Sequence, residues 1–302
     1  MTTTTLDRPV KPPQIFPSLT PRRRATNALA TILVFASFVV AMVPLIWVLY
    51  TVISRGFTAL TSDEWFTRSM RGVLPFFEGG GAYHAIVGTL MQGAVAAAFA
   101  IPIGLMVSIY LVEYANGSRL GRITTFMVDI LSGVPSIVAA LFIYALWITT
   151  FGFSKSGFAV ALALLLLMLP IVIRSGEEML RIVPMDLREA SYALGVPKWK
   201  TIVRIVIPTA LPGIITGLML AIARVIGEAA PLLILVGYAT YINYNMMEGE
   251  MGSLPGMMIA ELNNPSVPGR ERLWGAALTL VLIIALLNVV ANLISRYTGA
   301  RK

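Results

Sequence analysis

The sequence predicts an all-α integral membrane protein of six transmembrane helices with a small helical protrusion on the cytoplasmic side. Three observations carry that prediction. The chain of 302 residues is 57% hydrophobic and only 13% charged, with a mean hydropathy of +0.80, outside the balance of soluble domains. So few charges cannot cover a soluble surface of that size, so lipid must act as solvent. Apolar runs at 27–54, 84–112, 123–150, 157–174, 213–237 and 273–295 approach or exceed the roughly 20 residues a helix needs to cross about 30 Å of hydrocarbon. Helices are the only option, because the alternating pattern of a membrane barrel is absent. Finally, with the N-terminus inside, the inner segments hold 16 of the 23 lysines and arginines and the outer segments 6, which places both termini in the cytoplasm.

Taken in order, residues 1–26 form a polar tail ending in Arg22, Arg23 and Arg24, and 27–302 form the membrane domain. The first apolar run is too long for a cleaved signal segment and is expected to stay as an anchor. The outer stretches 55–83 and 238–272 carry turn chemistry such as "EGGGAY" and "NNPSVPG" and read as surface loops with short helices. Pro102, Pro135, Pro170 and Pro231 fall inside apolar runs, as static kinks or as hinges lining a pathway.

Several function classes are excluded. The chain has no cysteine and a single histidine, His84, so neither thiolate chemistry nor a clustered metal site is expected. The net charge of +8 is spread over short loops rather than along one face with aromatics, which argues against nucleic acid. No GxSxG elbow is present for a hydrolase. No lysine follows a glycine, so a phosphate-cradling GxxxxGK[ST] loop is absent and the chain is not expected to hydrolyse ATP.

The inner stretch of about 38 residues at 175–212 contains "PMDLREASYALGVPKWKTIVRIVIPTALPG". Asp186 as N-cap with Glu189 three places on predicts a short helix over 187–194, stopped by Gly195 and Pro197. From Lys198, the basic residues Lys198, Lys200 and Arg204 interleave with Trp199, Ile202, Val203 and Ile205 up to Pro208, as in an amphipathic helix at the interface. Two short rigid helices suit docking into another protein's groove, or a cap over the bundle.

In the fifth run, "LAIARVIGEAAPLLIL" carries Arg224 and Glu228. Arg224 is about eleven residues, roughly 16 Å, into a helix starting near Gly213, where a bare charge is costly and must face a partner or water. A spacing of four puts both charges on one face with Gly217, Ala221 and Pro231, and the Gly213-xxx-Gly217 pair permits close helix approach. The pair reads either as a local ion bridge that locks packing or as an anion pathway. Asp129, Ser132 and Ser136 near Pro135 are further polar candidates, although such hydroxyls often serve freed backbone carbonyls. Glu113 at the inner rim reads as a surface or inter-subunit residue, and His84 as interfacial.

"EASYALG", nine residues and then "IVIP" resembles the EAA signature of ABC-importer permeases, at Glu189, Ala190, Gly195, Ile205 and Pro208. Ser191 and Ile207 depart mildly from it. With "AYHAIVGTL", "VSIYLVEYA", "DILSGVPSIVAALF" and "AIARVIGEAAPLL", the chain from about residue 25 onward resembles the permeases of phosphate importers, of the PstA type. The resemblance implies a type I importer permease with a cytoplasmic coupling helix that inserts into a separate ATPase. It also implies a second, PstC-type permease, two ATPase copies and an external phosphate-binding protein, in a bacterial cytoplasmic (inner) membrane. Whether the chain also pairs with itself is left open. No cofactor is expected in this chain, since ATP is used by the partner. Under this resemblance Arg224 attracts phosphate, Glu228 tempers that attraction, and Ser132 and Ser136 line the way. Another oxyanion such as sulfate or molybdate, or a passive anion channel, are the alternatives.

Overall fold

The computed structural model describes residues 20–115 and 117–299, with side chains to 296. Among these residues the regular structure is all helical. The chain divides into two compact units, 1–51 and 52–302. In the first, the described part is the opening of α1 (Pro21–Leu60); residues 1–19 of the expected polar tail lie outside the described residues, and Pro21 already begins the helix. Its apolar side chains, among them Phe35 and Trp47, are exposed, as lipid-facing residues are.

The second unit begins with the end of α1, where Val52, Gly56 and Ala59 are buried. A Cβ on Gly56 would stand 2.6 Å from the Trp274 carbonyl oxygen, so glycine permits this helix contact. α2 (Tyr83–Ile109) continues into a π-helical turn, Tyr110–Tyr114. It packs along α5 (Gly157–Ile182) through small residues: Ala96, Ala100 and Gly104 against Ala159, Ala163 and Val172. Lipid offers no hydrophobic drive between helices, so close approach of small residues supplies the packing instead.

Between them, α3 (Arg119–Ser132) and α4 (Ser136–Ile143), the latter extended by a π-helical stretch Tyr144–Thr150, meet at 105°. The run expected as one span at 123–150 is therefore a broken pair. Pro135 has no N–H to donate and drives Val134 out of helical geometry, so the ladder stops at Gly133. Among the described residues, five helices are long and apolar enough to cross a membrane, or six if the bent pair is one span.

After α5 come α6 (Met185–Ala193), α7 (Lys198–Thr201), a π-helical turn Ile202–Val206, α8 (Ile207–Ile226), α9 (Ala230–Leu235), α10 (Leu254–Leu262) and α11 (Val267–Gly299). The fourth span runs on to Ile182 instead of ending at 174, and the fifth is continuous from Lys198 to Ile226. The separate interfacial helix expected from Lys198 is thus the first turns of α8's own span. A π-turn followed by Pro208 in the opening turn of α8 absorbs the missing N–H without ending the helix. The fifth span also stops early: it ends at Ile226 rather than 237, since Pro231 cannot bond back to Gly227.

In the opening turns of α11, Arg272 is buried and donates to the carbonyls of Pro75 (3.2 Å), Phe77 and Gly79 (3.2 Å). It staples the 55–83 segment onto α11, and Trp65 Nε1 adds a bond to Thr279 Oγ1 at 2.9 Å. A Cβ on Gly88 would overlap the carbonyl oxygen of Gly252, whereas one on Gly133 meets nothing nearer than 3.6 Å. Gly88→Ala is therefore expected to lower stability by about 1–3 kcal/mol, read as a melting temperature several degrees below wild type in detergent, with Gly133→Ala melting near wild type.

Candidate functional site

The two helix breaks face one cavity of about 630 Å³. The α3/α4 break gives Ser132, Val134, Pro135 and Ser136, the α8/α9 break gives Arg224 and Glu228, and α5 closes the wall with Leu167, Pro170, Ile171 and Arg174. All four residues expected on a pathway, Arg224, Glu228, Ser132 and Ser136, therefore border a single space. Irregular backbone inside a membrane is tolerated where it lines such a cavity.

Arg224 occupies the last turn of α8, where the helix dipole favours a cation. Glu228 lies beyond the helix end, its N–H bonded to the Val225 carbonyl at 3.1 Å. The shared helix face expected from their four-residue spacing stops at Ile226. Among the described residues, neither Arg224 nor Glu228 forms an ion pair, so the cavity holds a guanidinium with no carboxylate locked to it. Gly213 and Gly217 do permit close approach, their missing side chains filled by Met179 and Ser175 of α5.

Ser132 Oγ donates to the Val128 carbonyl at 2.9 Å, satisfying its own helix. Ser136 opens α4, whose cap is Pro135 with no side-chain bond to the first-turn N–H groups. A helix N-terminus left uncapped beside a cavity favours negative charge.

Sequence reasoning missed Arg174, the last residue of the apolar run 157–174, as a site residue. It stands on α5 within the cavity wall, its Nη1 2.8 Å from Glu177 and its Nη2 paired with Asp129 of α3. Arg181 bonds the other Glu177 oxygen at 2.6 Å. Charges at 174, 177 and 181 have the three- and four-residue spacing of one helix face, a signal hidden by ending the span at 174.

The segment expected to dock is tied down from within. Pro184, not Asp186, is the N-cap of α6, and Asp186 falls in its first turn. Gly195 has φ +75°, the left-handed geometry that ends a helix and favours glycine. Arg188 is buried and donates to Glu113 Oε1 at 2.9 Å and to the carbonyls of Leu180 (3.0 Å) and Val183 (2.5 Å). Glu113, expected at the rim, is instead a buried partner, and its carbonyl accepts from Lys198. Ser191, the departure from the EAA pattern, bonds Thr201 at 2.8 Å and joins α6 to α7. Glu189 and Ala190 are exposed, as are Leu187, Tyr192, Leu194 and Trp199, while Ile205 lies in the π-turn and Pro208 opens α8. His84, expected at an interface, is buried, with Nε2 3.0 Å from the Tyr238 hydroxyl. Burial, with Glu261 nearby, pushes the Tyr238 hydroxyl above its usual range, so it remains a donor.

A bent span and an interrupted one border a mostly apolar cavity into which two arginines, a glutamate and two serines are set, an arrangement that suits a membrane permease. The family described as binding-protein-dependent transport system inner membrane component matches residues 100–302. Phosphate transport system permease protein PstA 1 of Mycobacterium tuberculosis (strain CDC 1551 / Oshkosh) is 59% identical over 297 residues, 98% of this chain and 97% of that protein. The PstA protein of Mycobacterium leprae (strain TN) is 58% identical over 285 residues (94% and 93%), and that of Pasteurella multocida (strain Pm70) 36% over 271 (90% and 95%). Among solved structures, an inward-facing MetNI methionine ABC transporter aligns with TM-score 0.60 at 21% identity, covering 71% of this chain and 94% of that one. A bacterial alginate ABC transporter aligns with TM-score 0.61 at 12% identity, over 91% and 96%. The chain belongs to the binding-protein-dependent transport permease family and, within it, to the PstA type.

Removing Arg188 leaves Glu113 buried without its partner. Arg188→Leu is expected to cost about 3–5 kcal/mol, measured by thermal unfolding in detergent. Pairing it with Glu113→Gln should recover part of that loss, as a double-mutant cycle would show.

Proposed function

We propose that this chain is the permease subunit of an ATP-driven importer of inorganic phosphate, and that Arg224 draws the anion into the cavity between the two helix breaks. The observation that carries this is an arginine with no carboxylate locked to it, facing the uncapped first turn of α4 across a space of about 630 Å³. A guanidinium matches phosphate oxygens in geometry and charge. Glu228 at the same wall keeps the site from holding phosphate too tightly, and Ser136 offers a hydroxyl beside the α4 N-terminus.

In this reading α6 is the coupling helix. Exposed residues on it and at its C-cap, including Glu189, Ala190 and Leu194, enter a cleft of a separate cytoplasmic ATPase, and α6 carries that motion inward through Arg188 and Glu113. ATP is bound and hydrolysed by that partner, and no cofactor belongs to this chain. The full assembly pairs the chain with a PstC-type permease, two ATPase copies and an external phosphate-binding protein. It sits in the bacterial cytoplasmic membrane with both termini inside, following the distribution of lysine and arginine. The similarity to the named phosphate permeases supports the substrate assignment.

In proteoliposomes holding the complete complex, Arg224→Gln should lower ATP-dependent phosphate uptake about tenfold to a hundredfold, the worth of one or two charged hydrogen bonds. Assembly and ATP hydrolysis should persist, and Arg224→Lys should retain more uptake than the glutamine variant. Normal uptake by Arg224→Gln sinks the proposal. Sulfate and molybdate should not compete with labelled phosphate, and flux without ATP would mark a passive channel instead.

A further inference from the structure

The cavity wall holds a second arginine to which the transport reading gives no task. α5 and α8 run antiparallel, with Gly213 against Met179 and Gly217 against Ser175. Continuing that register sets Arg224 level with about residue 168 of α5, so Arg174 lies roughly 9 Å nearer the α6 end of the spans. Arg174 borders the same cavity as Arg224. Its partner Glu177 does not, and instead lines a separate cavity of about 260 Å³ together with Thr125, Arg122 and Arg181. The Arg174–Glu177 pair therefore has one member on each of two cavities that both carry arginine, and Arg174 also reaches the Thr125 carbonyl at 3.5 Å.

The arginine is unevenly held. Arg174 gives Nη1 to Glu177, whose side chain is 7% exposed, and Nη2 to Asp129, whose side chain is 59% exposed. Asp129 is open on one side and has room to swing away from the guanidinium, whereas Glu177 is enclosed by protein and stays as its anchor. If Asp129 lets go, Glu177 still fixes the arginine, and Nη2, left with only the long 3.5 Å bond to the Thr125 carbonyl, becomes available on a residue that borders the cavity. Inorganic phosphate is a better partner for the Nη2 edge than a lone carboxylate, because the anion carries up to two negative charges over several oxygens that match the guanidinium fork.

We propose that Arg174 is a second phosphate station, filled by Asp129 when the pathway is empty and by a phosphate oxygen when the anion passes from the Arg224 cavity toward the inner arginine-lined cavity. The proposal rests on the phosphate pathway described above. Because Asp129 belongs to α3 and Arg174 to α5, exchange of the carboxylate for phosphate would also release α3 from α5 at the bend beside Pro135, coupling occupancy to a change in the wall.

The experiment uses the assembled permease–ATPase complex without the external binding protein, with equilibrium binding of radiolabelled inorganic phosphate, and the complete complex in proteoliposomes for uptake. Asp129→Asn should bind phosphate about tenfold more tightly, the gain of freeing one charged hydrogen bond, and should turn over more slowly. Arg174→Gln should abolish that gain in the double variant and, alone, reduce uptake in an assembled complex. The reversed pair, Asp129→Arg with Arg174→Asp, should restore thermal stability but not uptake. Recovery of uptake by the reversed pair, or unchanged phosphate affinity in Asp129→Asn, would overturn the proposal in favour of a structural clasp. Loss of uptake in Arg224→Gln alongside unaltered Arg174→Gln would remove this station while leaving the pathway standing, and normal uptake in Arg224→Gln would remove the pathway itself.

Discussion

Inside hydrocarbon every backbone N–H and carbonyl must find a partner within the protein, and the architecture follows from how the chain meets or evades that demand. Continuous helices meet it outright, which is why α2, α5 and α8 persist through internal prolines rather than ending. Where the demand is evaded, at Gly133–Pro135 and at Gly227–Ala229, the loosened backbone lines a cavity. Arg224, Glu228, Ser132 and Ser136 stand at those same two places, because the space that serves broken backbone also serves charge.

Charge on this chain is handled in two distinct ways. Arg188 and Arg272 are buried and saturated, each joining a segment outside the long spans to a helix: Arg188 fixes α6 to the end of α2 through Glu113, and Arg272 gathers the carbonyls of the 75–79 stretch. These are fasteners, and their energetic role is to leave no buried acceptor unserved. Arg224 has no such saturation, and Arg174 is intermediate, with one firm and one exposed partner. The order from saturated to unsaturated follows the order from outer attachment to cavity wall, which is the arrangement expected if fixed charges hold the frame and free ones meet an anion.

The rigidity of the α6 region has the same origin. Pro184, Gly195 and Pro197 set its turns, while Ser191–Thr201 and Lys198 with Glu113 close it against its neighbours. An element held by that many bonds moves as a body, so a push on its exposed apolar surface reaches α2 and α8 together. The helix is continuous from Lys198, at the foot of this element, to Ile226, which gives a mechanical path of one unbroken span between the α6 region and the cavity.

Composition and the length of apolar runs determined the class of this protein without any tertiary information, since burial of a lipid-facing helix is a property of each segment alone. The EAA spacing at Glu189–Pro208 and the intramembrane Arg224 were equally legible, being local patterns, and the glycine pair 213/217 correctly marked a close helix contact. What only the tertiary structure decided were matters of register and competition. Whether Asp186 or Pro184 caps α6, whether the helix after Lys198 merges with α8, and whether Glu228 shares a helix with Arg224 each depend on which hydrogen bonds a proline displaces and what neighbouring groups replace them. Arg174, Glu113 and His84 eluded sequence reading for a related reason: their roles come from partners 45, 75 and 154 residues away, and no local pattern encodes a pairing made across the fold.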